Sequence, residues 1–418
     1  MSKLDELIQE HCPEGVEYKP LREIATVSRG GNFQKKDFCE AGVPCIHYGQ
    51  IYTKYGLFAD KTISFIGEES AKKQKMAVKN DIIMAVTSEN IEDVCKCVAW
   101  LGEDEVAVSG HSAIIHHSQD AKYLTYYFHT EMFAAQKRKL AHGTKVIEVT
   151  PDRLNDIKVP VPPLEVQREI VRILDNFTEL TAELTAELTA RKKQYEFYRD
   201  KLLTFDVHGG GTSNVVWRTL GETCILQSGK AIPSQDISKE KTEDFPIPCY
   251  GGNGLRGYVK TANQHGDKSL IGRQGALCGN VCYATGSYYA TEHAVVVTDK
   301  GFYNNRFLYH LLTNKNLNQF KTAGAQPGLS VSKLETILLP VPEMMVQNRI
   351  ATVLDNFDSI CSDLNIGLPA EIEARKKQYE YYRDLLLTFA ESGGRIAQTD
   401  RQTDRQTDRQ TDRQTDRV

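Results

Sequence analysis

Long apolar runs are missing from this chain. No window of 18 consecutive apolar residues occurs among its 418 positions, which excludes a membrane-spanning helix of ordinary length. The amino terminus, MSKLDELIQE, lacks an apolar signal core, so a cytoplasmic protein is expected. The ten cysteines form no disulfide-type framework, in keeping with reduced thiols. The nearest groupings, Cys95 with Cys97 and Cys278 with Cys282 near His293, lack paired zinc-ligand spacing. Buried structural cysteines and no metal are expected.

Catalytic signatures are missing too. A nucleotide-driven motor needs GxxxxGK[ST], but Gly229-Lys230 is followed by Ala231 and has the wrong upstream spacing. An adenine methyltransferase needs an Asn/Asp-Pro-Pro-aromatic tetrad, and the single Pro-Pro, Pro162-Pro163, is followed by Leu164. Gly251-Gly252-Asn253-Gly254 reads as a turn more readily than as a phosphate loop. No Glu-x-Lys follows Pro151-Asp152 at nuclease spacing. No catalytic residue and no bound cofactor are assigned to this chain.

What the chain does contain is itself, twice. RKKQYEFYRDKLLTF, Arg191 to Phe205, returns as RKKQYEYYRDLLLTF, Arg375 to Phe389. VPVPPLEVQREIVRILDNF, ending at Phe177, is answered by LPVPEMMVQNRIATVLDNF, ending at Phe357. A fainter echo links Tyr18, Leu21 and Gly30 to Trp217, Leu220 and Gly229. The plan is variable block, helical block, variable block, helical block.

In the first helical block Ile170, Leu174, Phe177, Thr181, Leu184, Leu188, Arg191, Tyr195, Tyr198, Leu202 and Phe205 alternate spacings of four and three, the seam of a coiled coil. From Glu165 to Phe205 such a helix is about 60 Å long and needs a partner to bury its seam. The second block supplies one through Ile350, Leu354, Phe357, Cys361, Leu364 and Leu368, then Tyr379, Tyr382, Leu386 and Phe389. A four-residue insertion displaces its register, and Gly367 and Pro369 predict a kink or break.

The variable blocks, near Leu21–Val159 and Leu220–Leu339, mix short β-rich runs with Gly, Asn and Pro turns. VKNDIIMAV, EVAVSG, HSAIIHH, DKSLIG and HAVVVTD are the expected strands. Each block has the size of one α/β or α+β domain. Related scaffolds with unlike surfaces, held by near-identical spacers, point to one task performed on two targets.

From about Val16 to Phe389 the chain resembles the specificity subunits (HsdS) of type I restriction-modification systems. The likeness is carried by PVPPLEVQREIVRILDNF and RKKQYEFYRDKLLTF, their second copies and the intervening Thr-Ala-Glu-Leu repeats. It implies a mixed α+β fold, two α/β target-recognition domains separated by a long antiparallel coiled-coil pair, with a pseudo-twofold internal repeat. Residues 1–160 and 207–340 would be the recognition domains, 161–206 and 341–390 the central and distal spacer helices, and 391–418 a disordered tail. It also implies that each domain reads half of a bipartite double-stranded DNA site in the major groove. The helices would dock two methyltransferase subunits, to which restriction-translocase subunits add, with S-adenosylmethionine, ATP and Mg on those partners. Docking and spacing fall to Ile170, Leu174, Phe177, Leu184, Leu188, Tyr195, Tyr198, Leu202, Ile350, Leu354, Phe357, Leu364, Tyr379, Tyr382 and Leu386. An enzyme that combines recognition with its own modification or cleavage is the alternative.

The helix also carries a ruler. Each Thr-Ala-Glu-Leu unit, Thr181–Leu184 then Thr185–Leu188, adds about 6 Å and a rotation of roughly 40°, one to two base pairs of DNA at about 3.4 Å each. The same units are also simply good helix formers.

Charge argues against tight DNA binding by the chain alone. The net charge is −4; residues 1–160 hold 20 basic and 23 acidic side chains, residues 215–340 hold 13 and 9. Positive charge is local, as at Gln136-Lys137-Arg138-Lys139 and His142-Gly143-Thr144-Lys145, so weak affinity without partners is expected. Polar loop residues able to reach base edges are Ser28, Arg29, Asn32, Thr87, Ser88, Asn90, His111 and Lys145 in the first domain. In the second they are Ser228, Lys230, Tyr250, Asn253, Arg273, Gln274, His293 and Gln326. His116 and His117 are read as strand-end or surface histidines.

The tail repeats Gln-Thr-Asp-Arg from Gln398 to Arg417. Lacking apolar periodicity, it is expected to be disordered. A CAGA nucleotide repeat encodes this tetrapeptide in every forward frame, so slippage would change the downstream frame. Phase variation is the expectation, testable by comparing repeat counts among clones.

Overall fold

A computed structural model describes residues 2–205, 215–275, 277–322, 328–362 and 367–390. Gln326, Leu364 and the Gln-Thr-Asp-Arg tail lie outside them. The chain forms two compact units, one of residues 1–182 with 374 onward, the other of Glu183–Glu373.

The long helix runs unbroken from Leu164 to Leu203. Its 40 residues contain neither Gly nor Pro and are rich in Leu, Glu, Ala and Arg, the strong helix formers. Pro163 immediately precedes it, where a missing N–H costs nothing. The second block forms two helices, Met344–Ser362 and Leu368–Leu386. Pro369 sits in the first turn of the latter, where a proline is tolerated.

Each unit joins one end of the long helix to a helix of the second block. In the first unit Phe177 stacks on Tyr382 with ring centroids 5.5 Å apart. In the second, Phe357 stacks on Tyr198 at 5.8 Å. The LDNF segment of one repeat therefore packs on the YYRD or YRD segment of the other, the exchange expected of an antiparallel pair. Ile170 and Leu174 are buried in the first core, with Tyr379 and Leu386 against it. Ile350 and Leu354 are buried in the second, with Tyr195 and Leu202 against it. Leu184 and Leu188, in the repeat segment, are half-buried.

The variable blocks share one architecture. The first unit has two five-stranded sheets. One runs in the order Ala25–Arg29, Ser112–His117, Ile82–Ala85, Cys97–Trp100, Phe58–Ala59. In the second unit a four-stranded sheet repeats the first four places as Cys224–Ser228, Ala294–Asp299, Lys268–Gly272 and Val281–Ala284. A parallel pair follows in each, Val43–Ile46 with Val106–Val108 and Ile247–Gly251 with Ser287–Ala290. The apolar runs expected to be strands are these strands.

The ends of each block are clasped together. Tyr18–Pro20 pairs antiparallel with Lys158–Pro160, and Val216–Thr219 with Leu338–Val341. Tyr18 lies opposite Pro160 and Trp217 opposite Pro340, so the faint sequence echo marks equivalent positions. Leu21 and Leu220 also agree, their N–H groups donating to the carbonyls of Ile157 and Ile337 at 2.9 and 2.8 Å.

Eight of the ten cysteines are buried and none is disulfide-bonded. Burial pushes the Cys95 thiol up to about 12 and that of Cys282 to about 11, well away from thiolate reactivity. No group of three or more metal-ligating side chains occurs among the described residues. None of the described helices is long and apolar enough to cross a membrane.

Candidate nucleic-acid interface

Two polar assemblies seat each variable block on its helix. Gln167 is fully buried; its carbonyl accepts from the Asp120 N–H at 3.0 Å, and its amide donates to Pro162 O and Gln119 Oε1, both at 2.8 Å. Gln347, 1% exposed, repeats this with the Asn304 N–H at 2.8 Å, Pro342 O at 2.8 Å and Phe302 O at 2.9 Å. Asp120 and Asn304 each cap the helix that follows.

Those capped helices reach back to the repeated aspartates. Asp175 accepts from Lys122 Nζ at 2.6 Å and Tyr126 OH at 2.7 Å. Asp355 accepts from Arg306 Nη2 and His310 Nε2, both at 2.6 Å. Burial pushes the Asp355 carboxyl up, but the Arg306 and His310 bonds outweigh it and hold it below the usual range. Burial also lowers His310, against the pull of Asp355. The sequence marks Gln167, Gln347, Asp175 and Asp355 as repeated; their partners lie in blocks too divergent to align.

At the end of each main sheet the backbone is again duplicated. Gly30 N–H donates to Ser112 O at 2.9 Å and Gly229 N–H to Ala294 O at 3.0 Å. A Cβ on Gly30 would lie 2.3 Å from Ser109 O, and one on Gly229 2.1 Å from Ala290 O. Only glycine fits. Val86 N–H donates to His111 O and Arg273 N–H to His293 O, both at 2.9 Å. Val149 N–H donates to Val86 O at 3.0 Å and Leu329 N–H to Arg273 O at 2.8 Å. His111 and His293, chosen from unrelated sequence, thus hold one and the same position.

In the first unit the rim gathers Arg29, Asn32, Thr87, Ser88 and His111. Arg29 donates to Gly110 O at 3.2 Å and pairs with Glu148. Asn32 Oδ1 lies 3.0 Å from a Cβ placed on Gly110. Thr87 Oγ1 is 3.1 Å from His111 Nδ1, and the His111 ring is 4.9 Å from that of Tyr48. Thr87 and Ser88 pair with Glu148 and Ile147. Ser28 lies within the strand, paired with Ile114. Asn90 bonds Asp93, closing its own turn. Lys145 is exposed in the turn between His142 and Glu148.

The second unit gathers Ser228, Arg273, Gln274 and His293. Arg273 Nη1 donates to Ser228 Oγ at 2.9 Å. His293 Nε2 is 3.1 Å from Glu292 Oε1, and Gln274 bridges to Gly328. Lys230 is exposed beside this rim, its N–H on Ala290 O at 3.0 Å. Asn253 is exposed in the hairpin turn that Gly254 closes at φ +92°. Tyr250 faces inward instead, its ring edge-on to buried Tyr288 at 5.9 Å. His116 is exposed and bonds Asp81 at 2.6 Å, while burial lowers His117 to about 4.

Sequence reasoning passed over Tyr48, Glu148 and Glu292. The signal available for Glu292 is its place in Thr-Glu-His, directly before an apolar strand.

The family described as "Type I restriction modification DNA specificity domain" matches residues 13–191 and again 212–374. The chain belongs to this family. It is 37% identical over 366 residues to the type I restriction enzyme EcoprrI specificity subunit of Escherichia coli, covering 84% of this chain and 89% of that one. The EcoR124I/EcoR124II specificity subunit of Escherichia coli is 33% identical over 263 residues, 56% of this chain and 63% of its own length. The fold is shared with the solved S subunit from M. genitalium, with TM-score 0.55 and 16% identity over 89% of this chain and 96% of that one. A chain in a solved structure of type I R-M system assembly has TM-score 0.61 and 17% identity, covering 89% and 97%. The two Escherichia coli relatives are specificity subunits of type I restriction enzymes, and this chain is a specificity subunit of the same family.

Proposed function

We propose that this specificity subunit reads a bipartite double-stranded DNA site, one half with each sheet rim, and that its helices dock two methyltransferase subunits, to which restriction-translocase subunits add. The observation that carries the reading is the duplicated rim. Backbone hydrogen bonds agree between the halves at Gly30 and Gly229, Val86 and Arg273, Val149 and Leu329, while the side chains differ at Arg29 and Ser228, Val86 and Arg273, and Glu148 and Gly328. A constant frame with changing donors and acceptors is what reading two different base sequences requires.

The repeated string supports docking of two like partners. Phe197 is 61% exposed and Tyr381 57% exposed, at equivalent positions of the two copies, and neither adds to its core. S-adenosylmethionine, ATP and Mg would be held by the partners, and assembly in the cytoplasm fits that role. Methylome sequencing with and without the gene tests the reading. Loss of one bipartite adenine motif supports it, and an unchanged set of methylated motifs refutes it.

A further inference from the structure

The shared hydrogen bonds allow the two rims to be compared residue by residue. Arg29, preceding Gly30, takes the place of Ser228, which precedes Gly229. Val86 takes the place of Arg273, and His111 that of His293. Ser112 and Ala294 donate to Ser109 and Thr291, each at 3.0 Å, so Gly110 takes the place of Glu292. Glu148, preceding Val149, takes the place of Gly328, which precedes Leu329.

An exchange emerges. In the first unit the arginine comes from the edge strand and reaches Gly110 O. In the second it comes from the neighbouring end of Lys268–Gly272 and reaches Ser228, the place where Arg29 stands. The carboxylate has moved as well, from Glu148 to Glu292, and glycine occupies each vacated place. Both rims carry one arginine, one glutamate and one histidine, delivered from different backbone positions.

Stability does not account for this. The Arg29–Glu148 pair is open to solvent, with side chains 44% and 29% exposed, and such solvent-screened pairs add little to stability. Among the described residues Arg273 has no ion-pair partner, and its Nε, together with Glu292 Oε2 and His293 Nδ1, is buried without a hydrogen-bond partner. A carboxylate facing DNA is repelled by phosphate unless it meets a base donor or a cation. Arginine offers two N–H groups to guanine O6 and N7, and a carboxylate accepts from the cytosine N4 amino group.

We infer that Arg29 with Glu148, and Arg273 with Glu292, each select one G·C base pair in their half of the site, the arginine taking guanine and the glutamate its cytosine. This rests on the DNA-reading function proposed above. Each half-site therefore contains at least one G·C pair.

The test uses the full chain assembled with its methyltransferase partners and a duplex bearing the motif found by methylome sequencing. Guanines are replaced singly by 7-deazaguanine, which deletes N7. In each half one replacement should weaken binding about tenfold. That penalty should vanish in Arg29→Ala for one half and in Arg273→Ala for the other. Glu148→Gln and Glu292→Gln should each reduce discrimination against A·T at that same pair, leaving the other half unaffected. A half-site without G·C, or a wild-type complex indifferent to 7-deazaguanine throughout one half, overturns the inference, and both arms use unmodified protein. If no motif depends on the chain, the DNA-reading function fails, and this assignment with it.

Discussion

Replacing Gln347 by Leu should unseat the second variable block from its helix. The amide is 1% exposed and makes three hydrogen bonds of 2.8–2.9 Å, from the Asn304 N–H and to the carbonyls of Phe302 and Pro342. Leucine has similar volume, so the loss is polar and not a cavity. Each buried group left without its partner costs about 1–3 kcal/mol, and three that share one side chain are not additive. A total of about 3–4 kcal/mol is expected, or about 1.5–2 M urea at a slope of about 2 kcal/mol per M. The chain's two tryptophans make the measurement specific, because Trp100 lies in the first unit and Trp217 in the second. In a Trp100→Phe background, fluorescence follows the second unit alone, from a strand paired with the Leu338–Val341 segment beside Pro342. Gln167→Leu, read through Trp100 in a Trp217→Phe background, should repeat the effect in the first unit. A loss below about 1 kcal/mol in both would refute the claim that these amides lock the blocks to the helices.

Three further outcomes are expected. Adding one Thr-Ala-Glu-Leu unit after Leu188 lengthens the helix by about 6 Å, so methylome sequencing should find the same half-sites with a gap longer by one to two base pairs; altered half-sites would contradict it. On acidification the second unit should lose stability, read through Trp217. His310 and Asp355 are both held below their ordinary values, so their contributions are full above the unfolded values and decline as pH falls through the folded ones. His310→Tyr, which reproduces Tyr126 of the first unit, should remove the part of the decline that begins below about pH 6.5. Gly229→Ala forces a Cβ to 2.1 Å from Ala290 O and should cost more than about 2 kcal/mol in the second unit, by the same urea measurement, while leaving the Trp100 transition in place.

The repeated helices were legible because their physics is local. Seam spacing, helix propensity and the Pro-rich entry lie within one stretch of sequence, and Ile170, Leu174, Ile350 and Leu354 are buried as the spacing predicts. The apolar runs gave the central strands for the same reason. The rim was only half legible. Arg29, His111, Arg273 and His293 could be chosen as polar residues beside strands, but which positions correspond between the two rims depends on hydrogen bonds between residues 20 or more apart in sequence. Tyr250 misled because a tyrosine beside a glycine turn looks exposed, whereas its ring packs inward on Tyr288. Glu148 and Glu292 fall outside the residue types chosen for base contacts, since a carboxylate becomes useful at DNA only where geometry gives it a donor.

The clasps at the base of each block have a further consequence. Tyr18 opposite Pro160, and Trp217 opposite Pro340, bring the entry and exit of a block of well over a hundred residues to adjacent strands. Closing a loop costs only about 0.6 kcal/mol more for each doubling of its length. Once the clasp is formed, residues inside can be inserted, deleted or exchanged wholesale at small cost to the helices outside. Each block is a cassette, and new DNA specificities can arise by substitution of whole cassettes between unchanged mountings.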